Sequence, residues 1–220
     1  GYTLRPYQLD AANGVFSEWE RVTSTLVEMA TGLGKTLVFS EVGRRGLTMD
    51  DGCTLVLAHR EELIKQAADK ITEHTGCGCE LEKAEFRASR SPGTRFVVAS
   101  VQTLMSGPTC DRCKGEGSIP DDDGRDCSTC FGEGRLLRLH RFNPMMFRRV
   151  VVDEGHHGTA RTYVTITKWF RRNPLCRLLY VTATPHRGDK VGLKNVCDSV
   201  AYRMGILEGI EEGYLVNVQQ

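Results

Sequence analysis

Three groups of residues in this 220-residue chain have the types and spacing to do chemistry. The first is "MATGLGKT", Met29 to Thr36. In such a turn Gly32 and Gly34 let backbone N–H groups point inward at phosphate oxygens with no Cβ in the way. Lys35 sets a positive charge against the outer phosphates, the Thr36 hydroxyl can ligate Mg2+, and Thr31 and Leu33 fill out the loop. The general phosphate-loop pattern has glycine where Met29 stands, so this is a variant form. A glycine-rich turn with an incidental lysine is the competing explanation.

The second group is "VVVDEGHH", Val150 to His157, an apolar strand ending in adjacent carboxylates. Side chains alternate along a strand, so Asp153 and Glu154 are expected to do different jobs. Beside a phosphate loop, Asp153 is placed to hold Mg2+ and Glu154 to take a proton from the attacking water. Alone, the pair would read equally well as a solvated acidic turn. His156 and His157 diverge on an extended chain and chelate poorly, so polar coupling within the nucleotide site is expected of them.

The third group is Cys110, Cys113, Cys127 and Cys130, spaced C-x2-C-x13-C-x2-C, within the pattern C-x-x-C-x-G-x-G written twice. Two such knuckles complete a tetrahedral thiolate shell for Zn2+, with Zn–S bonds of about 2.3 Å. A shell of four protein ligands has no open position, so the zinc is expected to be structural. A redox dithiol pair or a crowded surface loop is the alternative. The remaining cysteines of the nine are scattered, and an odd total without a secretion signal argues against a disulfide framework.

These groups act together only if a scaffold aims them. Short apolar runs alternate with helical patterns, which predicts a mostly parallel sheet with helices on both faces. Strands are expected over Thr25–Met29, Thr54–Ala58, Arg95–Ser100, Arg148–Glu154 and Arg177–Thr184, with a Val/Leu content suited to burial on both faces. A helix is expected to open directly after the glycine turn. Another should carry Leu63, Ile64, Ala67, Ala68 and Ile71 on one stripe and stop at Gly76. Residues 107–135, rich in Gly, Asp and Cys, have neither period and are expected to form an inserted loop module.

With 40% hydrophobic and 26% charged residues, the chain can bury a core. Its formal net charge of +1 gives no global polyanion signal, so a nucleic-acid site would have to be a local patch. No apolar run approaches the roughly 20 residues of a membrane span. The chain reads as intracellular, cytoplasmic or nucleoid-associated, without secretion or membrane signals. Between Gly107 and Leu139, seven acidic residues stand against five basic ones, leaving −2. A zinc tetrathiolate lowers that to about −4, which predicts a structural staple more than a phosphate-binding finger.

The order of motifs resembles the first RecA-like domain of a superfamily-2 helicase or translocase. It is most similar to the DEAD/DEAH-like group that includes type I and type III restriction motors and XPB-type repair helicases. "LRPYQLDAAN", Leu4 to Asn13, resembles the Q-motif region, which implies adenine recognition by Gln8 with Arg5 and Tyr7 nearby. "MATGLGKT" resembles motif I. "VLAHREELIKQ" and "VVASVQTL" resemble motifs Ia and Ib, which implies nucleic-acid contacts at His59, Arg60, Gln102 and Thr103. "VVDEGHH" resembles motif II, with Gly155 where the family commonly has alanine, and this implies a catalytic role for His156. "VTATPHR" resembles motif III, which implies coupling through Thr182 and Thr184.

The resemblance implies an α/β fold, a RecA-like P-loop NTPase domain over residues 1–220, interrupted by a small four-cysteine zinc insert that is itself similar to DnaJ cysteine repeats. It implies ATP, Mg2+ and Zn2+ as cofactors, nucleic acid as partner with DNA favoured over RNA, and no membrane. The family's motor also needs a second RecA-like domain carrying arginine fingers. The chain is therefore expected to be part of a longer protein, and alone to bind ATP but hydrolyse it weakly. A non-catalytic ATP-sensing or zinc-stabilised interaction module is the alternative.

Overall fold

The computed structural model describes residues 1–59, 61–89, 91, 93–119, 124–155, 160–183 and 197–216. Helix α1 (Pro6–Trp19) precedes β1 (Ser24–Met29), α2 (Lys35–Met49), β2 (Cys53–Ala58), α3 (Glu61–Thr75), β3 (Cys79–Glu82), β4 (Phe96–Ser100) and the single turn α4 (Val101–Leu104). After the cysteine region come two 3-10 turns, β5 (Phe147–Asp153), α5 (Arg161–Phe170), β6 (Arg177–Thr182), β7 (Ser199–Met204) and α6 (Ile206–Glu211).

The strands form one sheet in the order β3-β4-β2-β5-β6-β1-β7, and every pairing is parallel. Alternate residues of the same strands enter two separate cores, as the near-continuous apolar runs require. Val27, Val56, Val98, Val151 and Leu179 pack beneath α1, α2 and α3, where Val15, Phe39 and Ile64 meet them. Leu26, Leu57, Val97, Val152 and Tyr180 face the other way, against Leu104, Leu139, Ile166 and Phe170. The sheet is thus covered on both faces, as expected.

The α3 stripe is in place, with Ile64, Ala67, Ala68 and Ile71 buried and Leu63 half-buried. Gly76 closes the helix at φ +75°, its N–H bonding the Thr72 carbonyl at 2.9 Å. Two strands depart from the sequence expectation. β3 and β7 are the two edges of the sheet. An edge strand needs fewer apolar residues, and "CELE" and "SVAYRM" carry none of the continuous runs that mark the interior. β5 ends at Asp153 and β6 at Thr182, both short of the predicted limits.

Candidate active site and cysteine centre

Parallel strands put their carboxyl ends on one edge of the sheet, where ligands of such folds bind. β1 delivers Met29 to the glycine turn, and α2 opens at Lys35. Gly32 and Gly34 have φ of +91° and +79°, conformations an L side chain avoids. A Cβ on Gly34 would also stand 2.5 Å from Gln8 Nε2, so glycine is required here for space as well. The carbonyl of buried Leu33 accepts from Tyr7 Oη at 3.0 Å and from Gln8 Nε2 at 2.9 Å. Gln8 Oε1 in turn accepts from the Arg5 backbone N–H at 2.9 Å. Gln8 therefore joins the N-terminal segment to the phosphate loop. Thr31 and Gly32 are exposed, and Thr36 is half-buried in the first turn of α2.

Lys35 Nζ donates to the Met29 carbonyl at 3.2 Å, folded back over its own loop. Burial holds its pKa below the ordinary range, against the opposing charges of Glu154 and Asp153. Those charges reach it because β6 alone separates β1 from β5, with Asp153 level with Val181 and Val181 level with Val27. Asp153 is raised to about 6, chiefly by burial and then by the neighbouring Glu154 carboxylate. Its Oδ1 accepts from the Glu154 N–H at 3.1 Å.

Glu154 has φ +57°, a left-handed conformation uncommon outside glycine. The backbone under the acid pair is a turn at Glu154, in place of the continued pleat expected from the sequence. Strain of this kind concentrates at functional sites. The donor set fits a hard cation: one hydroxyl at Thr36 and one carboxylate at Asp153, both oxygen.

His59 follows β2 directly and Gln102 lies in the turn after β4; both are exposed, and the two strands are neighbours. Thr103 carries structural bonds, its N–H to Ser100 Oγ at 3.3 Å and its Oγ1 accepting from the Ala84 N–H at 3.2 Å. Thr182 is fully buried at the end of β6, level with Glu28 on β1. Arg60, His156 and Thr184 lie outside the described residues.

One residue packed beside the phosphate loop has no signal in the local sequence. Tyr214 packs on Tyr7 with ring centroids 4.4 Å apart, and the Arg5 guanidinium lies 5.6 Å from its ring centre. The turn after α6 folds back through Tyr214 and Leu215 N–H bonds to the Gly209 carbonyl, both 2.8 Å. Leu215 thereby comes within reach of Gly32, 3.1 Å from where a Cβ would be.

The four cysteines are buried, and their sulfur atoms lie within 4.8 Å of one another. Cys110 and Cys127 are 3.9 Å apart at sulfur, Cys113 and Cys130 3.6 Å. Tetrahedral zinc with bonds of about 2.3 Å demands sulfur separations of about 3.8 Å. A disulfide needs about 2.05 Å. Burial opposes ionisation of Cys127, yet the Cys130 and Thr129 N–H groups aimed at its sulfur bring it down to about 6. Burial and the neighbouring sulfurs push Cys130 up to about 12, because four clustered thiols cannot all ionise without a cation among them.

The two knuckles are related by an approximate two-fold exchange. Cys110 N–H bonds the Gly134 carbonyl at 2.9 Å, and Cys127 N–H bonds the Gly117 carbonyl at 2.7 Å. A Cβ on Gly117 would overlap the Gly132 carbonyl oxygen, and one on Gly134 would overlap that of Gly115. The second glycine of each repeat therefore makes room for the other knuckle. At its base the excursion is anchored by Arg138, whose Nε donates to Glu82 Oε1 at 2.7 Å, with Arg141 adding a contact to the same oxygen at 3.2 Å. Glu82 is fully buried, and its other oxygen accepts from the Ala88 N–H at 2.8 Å.

A phosphate loop after β1 and an acid pair after β5, opening on one edge of a parallel sheet, define the class: a RecA-like domain of the kind that superfamily-2 helicases carry. The chain belongs to the family described as type III restriction enzyme, res subunit, whose pattern matches residues 1–187. It is similar to IRC3 of Saccharomyces cerevisiae, a candidate ATP-dependent helicase by name, with 27% identity over 236 positions covering 96% of this chain and 28% of IRC3. In structure it is similar to the Hef helicase domain of Pyrococcus furiosus, with TM-score 0.67 and 18% identity, covering 98% of this chain and 40% of that one. It is also similar to LlaGI, a Type ISP restriction-modification enzyme solved with a DNA substrate mimic, with TM-score 0.60 and 14% identity over 97% of this chain and 21% of that one. These two likenesses concern the fold. The chain spans less than a third of the length of the curated relatives it matches. No helix among the described residues is long and apolar enough to cross a membrane.

Proposed function

We propose that this domain is the ATP-binding half of an ATP-dependent motor that moves on nucleic acid, and on DNA in preference to RNA. The observation that carries this is the facing of Lys35 with Asp153 and Glu154 across a single intervening strand. The Gly32–Thr36 turn would receive the phosphates, Lys35 leaving the Met29 carbonyl to meet them. Thr36 and Asp153 would hold Mg2+, which would neutralise charge on the phosphates. Glu154 would take the proton of the attacking water, and His156 would share in catalysis. Arg5, Tyr7 and Gln8, joined by Tyr214, would form the adenine side. His59, Arg60, Gln102 and Thr103 would face the nucleic acid, with Thr182 and Thr184 coupling the two ligands. DNA is preferred because LlaGI was solved with a DNA substrate mimic.

A second RecA-like domain would complete the motor by supplying arginine to the transferring phosphate, so residues 1–220 alone are expected to bind ATP and turn it over weakly. The exposed Ile206 and Leu207 of α6 offer an apolar surface for such a domain to cover. The four cysteines would hold a structural Zn2+. The compartment would be intracellular. Retention of lysine, threonine and both carboxylates weighs against a non-catalytic sensor.

The test uses the full-length protein. Glu154→Gln is expected to keep ATP binding and lose turnover by about 10²- to 10⁴-fold, the size of a lost general base. Turnover by Glu154→Gln at the unmodified rate would overturn the assignment.

A further inference from the structure

An open cleft of about 320 Å³ lies where the cysteine module meets α5. Its wall is aromatic. Phe131, in the second knuckle, stands 4.8 Å from the ring of His140 and 4.8 Å from that of Trp169. The Arg172 guanidinium lies 4.7 Å from the Phe131 centroid and 4.2 Å from that of Trp169. Lys168 and Arg161 line the same cleft from α5, and both are exposed.

Two features separate this cleft from ordinary packing. The residue equivalent to Phe131 in the first knuckle is Lys114, with a nearly identical backbone at φ +52° against +56°. The knuckle itself therefore does not require a ring, yet Phe131 is 41% exposed. The second feature is charge. The cysteine region as a whole is acidic, but among the described residues Glu133 is its only carboxylate lining the cleft, against three cations. His140 adds ring surface without charge at neutral pH, because burial and then Arg172 hold its pKa down to about 4.

A cationic cleft with an exposed ring suits a polyanion that also offers flat rings. Single strands do this: phosphates meet the cations and unpaired bases stack on the aromatic face. A duplex hides its base faces, and an acidic peptide brings charge without rings. We propose that the cleft between the cysteine module and α5 binds single-stranded nucleic acid, with Phe131 stacking a base and Lys168 and Arg161 neutralising phosphates. This rests on the motor reading and gives the cysteine module a contact of its own, beyond a structural staple.

The test uses the full-length, metal-loaded protein and fluorescence anisotropy with a labelled oligothymidylate strand and a labelled duplex. Phe131→Leu keeps apolar packing and removes the π-face; it is expected to weaken strand binding about tenfold and leave duplex binding unchanged. Lys168→Glu should weaken strand binding and reduce the slope of log affinity against log salt by about 0.7 for the lost phosphate contact. Zinc content and melting temperature are checked in both variants. Strand binding at the unmodified affinity and slope in both variants overturns the proposal while leaving the motor reading intact. Failure of the unmodified protein to bind either nucleic acid defeats both. Displacement of the strand by polyglutamate as readily as by unlabelled strand would reassign the cleft to acidic peptide and overturn the proposal.

Discussion

Alanine at Gly117 and alanine at Gly124 differ in one physical respect. Both glycines are left-handed, at φ +78° and +69°, so each substitution carries about 1–2 kcal/mol of backbone strain. At Gly124 a Cβ would meet nothing within 4 Å. At Gly117 it would overlap the Gly132 carbonyl oxygen and stand 3.1 Å from its carbon. That neighbour is backbone and cannot swing aside. Nor can the knuckles move apart freely, since the Gly117 carbonyl holds the Cys127 N–H at 2.7 Å. Overpacking of this kind costs about 1–3 kcal/mol and a loosened hydrogen bond about 1 kcal/mol more, so the excess at Gly117 is about 2–4 kcal/mol.

In a small metal module, folding energy and metal affinity are one quantity, and each 1.4 kcal/mol is about tenfold. Gly117→Ala should therefore bind zinc about 30- to 1,000-fold more weakly than Gly124→Ala. Gly124→Ala itself should stay within about 30-fold of the unmodified protein, the size of its backbone strain. The measurement is competition against a chromophoric chelator at neutral pH. Equal zinc retention by the two variants would refute the interlocked-knuckle account, and no zinc in the unmodified protein would refute the metal centre itself.

Glu41, buried on α2, accepts from Arg44 at 2.7 Å, Arg45 at 2.8 Å and His74 at 2.8 Å; burial pushes its pKa up, but these partners outweigh it and hold it at about 2 against an ordinary 4.5. The unfolded chain then takes up the proton first as pH falls, so this contribution is complete above about 4.5 and drains away toward 2. Glu41→Gln should flatten that part of the stability–pH curve and cost about 2 kcal/mol at neutral pH, read from urea unfolding; an unchanged acid limb would count against it. Tyr214→Ala removes the ring packed on Tyr7 and should raise the KM for ATP several-fold with kcat little changed, as expected for a group that binds ground and transition states alike. A drop in kcat with KM unchanged would show that Tyr214 acts elsewhere.

What was legible in the sequence and what was not divides along a physical line. Interior strands must bury both faces, so "TLVLA" and "RRVVVDE" announced themselves, and with them the sheet edge that carries the phosphate loop and the acid pair. Edge strands need not, and β3 and β7 passed unseen. The side chains proposed for catalysis lie in short segments whose local spacing reflects that chemistry, which is why Lys35, Thr36, Asp153 and Glu154 stand out in the sequence. Tyr214 meets Tyr7 only because the turn after α6 returns to the phosphate loop, and no local period encodes that meeting. The left-handed turn at Glu154 was likewise hidden, since the residue type favours no such turn. The cysteine region shows the same division in its charges. Summed along the chain, its acidic excess predicts repulsion of phosphate. Folded, it presents Phe131 and one carboxylate to a cleft whose cations belong to α5 and the residues just after it. Net charge is a property of a segment, whereas attraction is a property of a surface, and this surface sets Phe131 and Glu133 beside cations that begin more than 25 residues further along the chain.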